Sequence, residues 1–302
     1  MTKFSDNASG SMSYRSAIAQ LIVGAVLISF SPVFVKLADV GPTIAGFYRN
    51  LFGGIFLLTI VISKRNPIWA GRKPFLYALI AGVAFAADLW CWHRSIHYVG
   101  PGMATILGNF QVFFLAAFGI LVLREKFDWR FAISTIAAIA GLLMIVGVDW
   151  NALEPAYRLG ILLGLCTAIT YAVYVLVLKK AQSERIRLSA SGNLAVISII
   201  SAAIMAVEGV FEGASFRVPD TKSWASLIAY GVICQGLGWI IISRALVKVR
   251  ASRAGLILLL QPTLAFIWDI VFFSRPTVAL DAMGAALALA AIYFGGTRRN
   301  DD

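Results

Sequence analysis

The sequence is poor in charged residues, which make up only 14% of its 302 positions. Soluble domains carry about 25% charged residues. Hydrophobic residues account for 60% of this chain, and its mean hydropathy is +0.83. Long polar connections are scarce as well, which leaves no room for a soluble domain. This composition excludes an ordinary soluble protein and indicates an integral membrane protein.

Sequences typical of metal sites and disulfides are also missing. Cys91, Cys166 and Cys234 have no CxxC spacing, so they are predicted to be buried free thiols. His93 and His97 are four residues apart, but no third ligand lies near them in the sequence. They are interpreted as histidines at the membrane interface, and no metal site is predicted.

The chain lacks the HExxH sequence of zinc proteases and the Walker sequence that binds phosphates. An intramembrane enzyme and a pump with its own nucleotide domain are therefore disfavoured, and no cofactor is expected. The net charge of +11 would suggest a nucleic-acid partner in a soluble protein. Here most Lys and Arg residues lie in short loops between apolar runs, which favours the lipid bilayer and no nucleic acid.

Ten apolar runs are each about 20 residues long, enough to cross the hydrocarbon core as a helix. We therefore predict an all-α integral membrane protein with ten transmembrane helices around a central cavity. The first run has no small-residue cleavage site and is expected to be retained. The runs cover residues 16–38, 44–63, 75–97, 101–123, 129–148, 158–178, 188–208, 223–246, 252–273 and 278–297.

The sequence repeats itself at a spacing of 150 residues. Arg94 matches Arg244, and Gln111 matches Gln261. Each copy holds five apolar runs, an odd number, so the second copy enters the membrane from the opposite side. Inverted repeats of this kind are typical of secondary transporters, whose substrate site lies between the halves near the midplane. The predicted organisation is an N-terminal tail (1–15), a first repeat (16–148), a second repeat (158–297) and a C-terminal tail (298–302).

The distribution of Lys and Arg predicts the orientation in the membrane. With the N-terminus in the cytoplasm, 19 of these residues fall on the inside and 7 fall outside or at outer helix ends. Positive charge concentrates on the cytoplasmic side of membrane proteins. Both termini are therefore predicted to be cytoplasmic, in a multi-pass protein of the inner (cytoplasmic) membrane. The sequence does not determine whether the protein forms a homodimer.

Polar side chains within the apolar runs predict the substrate site, because such residues usually face the bundle interior or a cavity. They cluster near the midplane of helices one, three, four, six, eight and nine. Helices two, five, seven and ten carry almost none at that depth and are predicted to form an outer or dimer-facing layer. Aromatic residues share helix faces with these polar groups. The predicted substrate-binding residues are Ser31, Asp88, Trp92, Asn109, Gln111, Thr167, Tyr171, Gln235, Trp239, Gln261 and Trp268.

Each of these residues also has a structural explanation. The aromatics are consistent with ordinary packing or with the interfacial aromatic belt. The amides are consistent with hydrogen bonds between helices. Asp88 is either a protonatable coupling site, a partner for a ligand ammonium, or half of a salt bridge to Lys36, Arg49 or Arg94.

Several stretches carry a resemblance to a known family. Residues 98–107, continuing to 123–127, and residues 260–262 with their helix-breaking proline resemble the fourth helix of the EamA-type exporters and its counterpart. Residues 160–180 resemble that family's sixth helix with its basic end. The family belongs to the drug/metabolite transporter superfamily. Residues 90–94 look closest to its amino acid exporters, and within them to the aromatic amino acid exporters.

This resemblance covers nearly the whole chain and implies a secondary transporter that exports aromatic or other large neutral amino acids by alternating access. Two departures are Val112, where the second copy has Pro262, and Arg275, where the first copy has Glu125. The alternative within the superfamily is a drug, metabolite or nucleoside exporter. Alternatives of another class are an intramembrane enzyme and a non-transporting scaffold, and a scaffold would not need polar groups at the midplane of both repeats.

Overall fold

The computed structural model describes residues 13–126, 128–146, 154–274 and 277–296, and these residues contain helices and turns but no strand. The predicted all-helical class is therefore confirmed. A π-helical segment, Tyr230–Gly238, directly follows a helix that ends at Ala229. The helices are α1 (Tyr14–Ser29), α2 (Ser31–Leu37), α3 (Pro42–Ser63), α4 (Arg72–Asn109), α5 (Gln111–Leu121), α6 (Trp129–Val146), α7 (Pro155–Ser183), α8 (Ala190–Phe211), α9 (Thr221–Ala229), α10 (Trp239–Leu246), α11 (Ala251–Leu258), α12 (Leu260–Phe273) and α13 (Ala279–Gly296).

Seven helical stretches in the described part of the chain are long and apolar enough to cross a membrane. Shorter apolar helices occupy residues 107–121, 129–144 and 279–295. The seven stretches are Tyr14–Leu37, Pro42–Ser63, Arg72–Val99, Pro155–Ser183, Ala190–Phe211, Thr221–Leu246 and Ala251–Phe273.

Helix α4 reverses its direction although its backbone is helical throughout Arg72–Asn109. A Cβ atom placed on Gly164 of α7 would lie 3.0 Å from Ser95 Oγ and 2.6 Å from Leu107 Cβ. In a straight helix Ser95 and Leu107 would be about 18 Å apart. Both can reach Gly164 only because the chain turns back between them. The two arms of α4 therefore lie against α7, in agreement with two separate apolar runs.

Three long helices are each interrupted at a single residue with ψ between −8° and −13°. These residues are Phe30 between α1 and α2, Phe110 between α4 and α5, and Leu259 between α11 and α12. Pro32 and Pro262 explain two of the breaks, because proline has no N–H to donate to the carbonyl four residues earlier.

The break at Phe110 forms without a proline. Val112 stands where the second half has Pro262, but Gly108 and Asn109 come directly before the break. Glycine and asparagine have low helix propensity. The two halves therefore reach similar kinks by different local means.

The helices of the first half pack mainly on those of the second. α3 runs along α8, α6 along α13, and α4 along α7, while α5 contacts α11 and α1 contacts α10. Backbones approach closely where α6 meets α13. A Cβ on Gly141 would lie only 2.5 Å from Gly284 O, so this approach requires glycine.

One end of the bundle, called here the Glu125 end, gathers the segments 122–126 and 247–253 together with Tyr14 and Lys179. Glu125 accepts hydrogen bonds from Ala251 and Ser252, and Lys179 donates to a backbone carbonyl at Val249. Glu184 lies at the same end, and a hydrogen bond from Lys73 lowers the pKa of its carboxyl.

The opposite end, called the Phe216 end, gathers segments 38–42 and 212–220 with the ends of α2, α8 and α12. Tyr48 donates to Phe216 O at 2.8 Å, and Asp39 N donates to Ser223 Oγ at 3.0 Å. An exposed ion pair, Lys36–Asp269, also lies there.

The cysteines depart partly from prediction. All three are free thiols, and Cys91 and Cys234 are buried as expected. The prediction that Cys166 is buried is wrong, because its side chain is exposed. Its neighbour Thr167 faces α4, and one step along a helix turns the side-chain direction by about 100°.

Candidate functional site

Four aromatic rings meet in the middle of the bundle. The ring centroids of Phe85 and Tyr174 are 4.7 Å apart, and those of Tyr174 and Trp239 are also 4.7 Å apart. The Tyr171 ring lies 6.0 Å from that of Trp239. Phe85, Tyr174 and Trp239 are at most 1% exposed. Tyr171 and Tyr174 are three residues apart and so share one face of α7. Together with Phe85 of α4 and Trp239 of α10 they form a buried aromatic group.

A buried arginine lies against these rings. Arg49 of α3 is only 7% exposed. Its Nε donates to Gln235 Oε1 at 3.0 Å, and its Nη1 donates to the Tyr230 hydroxyl at 3.1 Å. The guanidinium carbon lies 5.2 Å from the centre of the Phe85 ring and 5.0 Å from that of Tyr230. These distances are typical of cation–π contacts.

Gln235 connects three parts of the bundle. Besides accepting from Arg49, it donates through Nε2 to Ser198 Oγ of α8 at 3.0 Å, and it is fully buried. The contact depends on close backbones, since a Cβ on Gly231 would lie 2.8 Å from Gly53 N. Gln235 and Gly231 belong to the π-helical segment, and such segments are frequent at functional sites.

Asp88 lies beside this network but outside its hydrogen bonds. Its side chain is 6% exposed, and the charge of Arg49 acts on it. Among the described residues, no ion pair within 4.0 Å and no hydrogen bond reaches its carboxylate. The salt bridges considered from the sequence are therefore not found there, and Lys36 and Arg94 pair with other carboxylates.

Further buried polar atoms around the rings lack hydrogen-bond partners within the part of the chain that the structure describes. They are the hydroxyls of Tyr171 and Tyr174, the Trp239 Nε1 and the Gln261 Nε2. Tyr171 and Gln261 lie close enough to interact, yet no hydrogen bond within 3.5 Å joins them. Buried polar groups in proteins are normally paired. The concentration of unpaired groups in one place indicates a site for a ligand or for ordered water.

We use the term central cluster for the set of side chains that surrounds this place. Its members are Arg49, Phe85, Asp88, Tyr171, Tyr174, Tyr230, Gln235, Trp239 and Gln261.

Other sequence-predicted site residues have side chains that already bond within the protein. The Ser31 hydroxyl donates to Ile28 O at 2.6 Å. This bond replaces the backbone hydrogen bond that Pro32, which has no N–H, cannot donate to the same carbonyl. Trp268 Nε1 donates to Ser29 Oγ at 2.7 Å. Thr167 donates weakly, at 3.5 Å, to the Asp88 backbone carbonyl.

Three further residues predicted to bind the substrate lie in α4, whose direction reverses, or just after its end. Trp92 is half-buried beside His93, with 5.3 Å between ring centroids. Asn109 and Gln111 are buried on either side of the Phe110 break. Gln111 Oε1 has no partner within the described residues.

Arg49 was considered from the sequence only as a possible partner of Asp88 and not as a substrate-binding residue, and helices two and seven, which were predicted to carry almost no polar groups near the site, each contribute one. Arg49 and Ser198 bring α3 and α8 into the central cluster. Counting residues from the helix end placed Arg49 near the outer face, although its long side chain reaches inward. An arginine inside an apolar run was the signal that could have identified it.

The arrangement suits reversible binding better than covalent chemistry. Aromatic faces provide a surface for an apolar body, and Arg49 and Asp88 provide charges of opposite sign. His93 lies against Gly46 of α3, while His97 is exposed.

Comparison with known proteins decides the family. The model of the EamA-like transporter family matches residues 15–147 and again residues 158–296. The chain belongs to the EamA-like transporter family. It is accordingly a multi-pass membrane transporter of the solute carrier and drug/metabolite type, and it is not an enzyme.

Individual relatives are distant. The chain is 24% identical over 292 residues to human solute carrier family 35 member G1, covering 92% of this chain and 78% of that protein. It is 23% identical over 150 residues to an uncharacterized transporter of Haemophilus influenzae, covering 47% of this chain and 49% of that one. A solved crystal structure superimposes with a TM-score of 0.82 at 15% identity, covering 94% of this chain and 98% of the other. This last likeness concerns the fold alone.

Proposed function

We propose that this EamA-like transporter exports large neutral amino acids, preferably aromatic ones, across the cytoplasmic membrane by alternating access. The observation that carries the proposal is the central cluster, where buried aromatic rings adjoin the unpaired Asp88 carboxylate and the unpaired donors of Tyr171, Trp239 and Gln261. A transporter of small molecules needs such a site near the midplane. The resemblance to amino acid exporters supplies the direction of transport.

The rings favour an aromatic substrate without demanding one. Tyr171 and Trp239 are packed together here, and their separation during alternating access would offer faces on which an aromatic body can stack. A face of this kind can also hold an ammonium group. A cation–π contact contributes about 0.5–2 kcal/mol, which is up to about 30-fold in affinity. That is enough for a preference, so several hydrophobic amino acids and related toxic analogues are expected to be accepted.

The substrate-binding residues predicted from the sequence fall into two groups in this proposal. Asp88, Tyr171, Trp239 and Gln261 contact the substrate, because they belong to the central cluster and have polar atoms that lack protein partners in the described residues. The others shape or support the cavity. These are Ser31, Trp92, Asn109, Gln111, Thr167, Gln235 and Trp268.

Alternating access rests on an inverted repeat of ten crossings, with copies at 16–148 and 158–297. Two features support it. Helices of one half pack on the corresponding helices of the other, as α3 does on α8 and α6 on α13. The breaks at Phe110 and Leu259 lie 149 residues apart in corresponding helices. Interrupted helices at equivalent positions mark the moving parts and the site in transporters.

The orientation in the inner membrane follows from the Lys and Arg count, with both termini and the Glu125 end in the cytoplasm. Single cysteines at Asn66 and at Gly213, in a background lacking the exposed thiol of Cys166, would test it. A membrane-impermeant reagent added to intact cells should label Gly213→Cys and not Asn66→Cys. The reverse pattern would overturn the orientation. The segment 151–156 is expected outside, although 151–153 lie outside the described residues.

Flux into liposomes that contain only this protein tests the function. Labelled phenylalanine, tryptophan and leucine should enter protein-containing vesicles and exchange with unlabelled amino acid inside. Lysine, glutamate, uridine and a cationic drug serve as competitors. Transport of uridine or the drug without any amino acid would contradict the substrate proposal and leave only the superfamily.

A further inference from the structure

We propose that Arg49 and Asp88 form a two-part receptor for the head group of a zwitterion. In it Arg49 binds the carboxylate of an α-amino acid and Asp88 binds its ammonium group. This inference rests on the proposed function and specifies how the same site recognises its substrate. Arg49 was not among the substrate-binding residues predicted from the sequence.

Arg49 is a buried cation without a bound anion. A guanidinium has five N–H donors, and the two that bond here reach neutral oxygens on Gln235 and Tyr230. Its Nη2 has no acceptor among the described residues. Burying a charge without an opposite charge in contact is unfavourable. A carboxylate from a ligand would supply both the charge and the acceptors.

Asp88 is the matching acidic group, and no cation among the described residues contacts its carboxylate. It is 6% exposed, and Arg49 acts on it through space, yet the two groups are not within 4.0 Å of each other. Hydrogen bonds to Gln235 and Tyr230 hold Arg49 in place on the side of the π-helical segment. The pair is thus held apart, with each charge incompletely neutralised.

An α-amino acid would bridge the two groups, because a single carbon separates its ammonium from its carboxylate. Binding it would neutralise both protein charges and add no net charge to the interior. An amine alone would leave Arg49 unneutralised, and an acid alone would leave Asp88 unneutralised. A site whose buried polar groups pair with the substrate rejects analogues that lack the matching group.

The head-group receptor is continuous with the aromatic surface. Arg49 lies over Phe85, Phe85 stacks on Tyr174, and Tyr174 contacts Trp239. A ligand held at Arg49 and Asp88 would therefore place its side chain on these rings. Head-group recognition would set the substrate class, and the rings would set the preference within that class.

Three ligands with the same phenyl group measure how much the carboxylate and the ammonium group each contribute to binding in the unmodified protein. They are L-phenylalanine, phenethylamine, which lacks the carboxylate, and 3-phenylpropanoate, which lacks the ammonium. Binding to purified protein in detergent should be at least about tenfold weaker for each analogue, because each loses a hydrogen-bonded charge contact.

Two variants assign each charge to its residue. In Arg49→Lys the geometry for the carboxylate is lost, so phenylalanine should lose its advantage over phenethylamine. In Asp88→Asn the charge that binds the ammonium group is lost, so phenylalanine should no longer bind more tightly than 3-phenylpropanoate. The matched control is Arg94→Gln, which removes an arginine already paired with Glu208 and should keep the ranking of the wild type. Thermal unfolding checks that each variant is folded.

The possible results are distinguishable. Phenylalanine binding that exceeds both analogues, with the two variant effects, supports the receptor. Equal binding of all three ligands overturns the receptor and leaves the proposed function intact. If the wild type binds no large neutral amino acid, both proposals fail. Should Arg49→Lys not fold, the ligand series on the wild type and on Asp88→Asn decides alone.

Discussion

Two acidic residues of the first half show how differently a carboxylate can be used in one bundle. Glu125 accepts three hydrogen bonds, from Ala251 N at 2.8 Å, Ser252 N at 3.4 Å and Ser252 Oγ at 2.6 Å. Asp88 is more deeply buried, yet no hydrogen bond to its carboxylate is found in the described part of the chain. Glu125 thus caps the N-terminus of α11, which favours a negative charge.

The two carboxylates therefore differ in how far the described part of the protein satisfies their oxygens, and we propose that Asp88 is the one available to a ligand. A carboxylate whose oxygens are occupied stabilises the arrangement in which it is found. A buried carboxylate without partners is stable only when a proton or a cation neutralises it. In the proposed function, the substrate or a proton would neutralise Asp88, whereas the hydrogen bonds to Glu125 come from the protein itself.

One charged pair at each end of the bundle shows a difference in burial between the two ends. Arg253 donates to the Tyr14 hydroxyl at 2.8 Å and lies 3.7 Å from Asp128, and its side chain is 5% exposed. At the other end the Lys36–Asp269 pair is 56% and 32% exposed. An opening at the Glu125 end would have to break several buried contacts between the two halves.

The largest effect is expected from removing the charge of Asp88. Asp88→Asn should abolish gradient-driven accumulation of phenylalanine in liposomes, while exchange at saturating substrate continues. The reason is that the carboxylate can be neutralised either by a proton or by the substrate, and the amide by neither. The unfolding temperature should hardly change. Unaltered accumulation and exchange would favour facilitated diffusion without Asp88.

Gln235→Ala and Gln261→Ala should have different consequences. Gln235→Ala leaves Arg49 Nε and Ser198 without a partner, which costs about 3 kcal/mol of stability and lowers transport with it. Gln261→Ala removes a donor that has no partner in the described residues, so it should impair transport at nearly unchanged stability. Trp239→Ala should impair transport and stability together, because its ring is buried. Thermal unfolding and flux on the same samples measure both, and wild-type flux in all three variants would place the cavity elsewhere.

A smaller effect is expected at the Glu125 end. Glu125→Gln keeps the shape but removes the charge at the start of α11, and losses of this kind cost about 0.5–2 kcal/mol. The variant should unfold at a lower temperature and still bind phenylalanine. Ser252→Ala, which removes the shortest of the three bonds, serves as the matched comparison. An unchanged unfolding temperature in both variants would mean that the hydrogen bonds of Glu125 do not stabilise the protein.

The smallest effect is expected from Lys36→Gln. Exposed ion pairs contribute about 0–1 kcal/mol, and Lys36 is mostly exposed. Unfolding temperature and flux should both stay close to those of the unmodified protein. A large loss of transport would mean that the Phe216 end takes part in closure.

Apolar length predicted the helical segments, because a run of about 20 apolar residues can cross the membrane as a helix. Seven of the ten predicted runs correspond to described stretches long enough to span, and the runs 101–123, 129–148 and 278–297 correspond to shorter apolar helices. Apolar length could not predict the π-helical segment or the break at Phe110. Those depend on Gly231 lying against Gly53 and on residues without a proline signal. The backbone of α4 also remains helical through a reversal that the sequence marks as a short connection.

Only some residues of the candidate site could be identified from the sequence, because contacts between helices are not visible there. Polar residues at matching depth led to Asp88, Gln235 and Gln261, but depth along a helix does not give the reach or direction of a side chain. Arg49 was therefore assigned to the outer face, although its guanidinium lies among buried rings. Whether an amide is already bonded, as in Gln235, becomes visible only when its neighbours on other helices are known.

The central claim is that Asp88, unlike Glu125, is open to a ligand. An apolar carbodiimide, which modifies accessible carboxyl groups, compares the two residues in one sample when labelling is followed by peptide mass spectrometry. The account predicts that Asp88 is modified, that phenylalanine slows this modification, and that Glu125 stays largely unmodified with or without phenylalanine. Modification of Glu125 in preference to Asp88, or labelling of Asp88 at a rate that phenylalanine does not change, would contradict it.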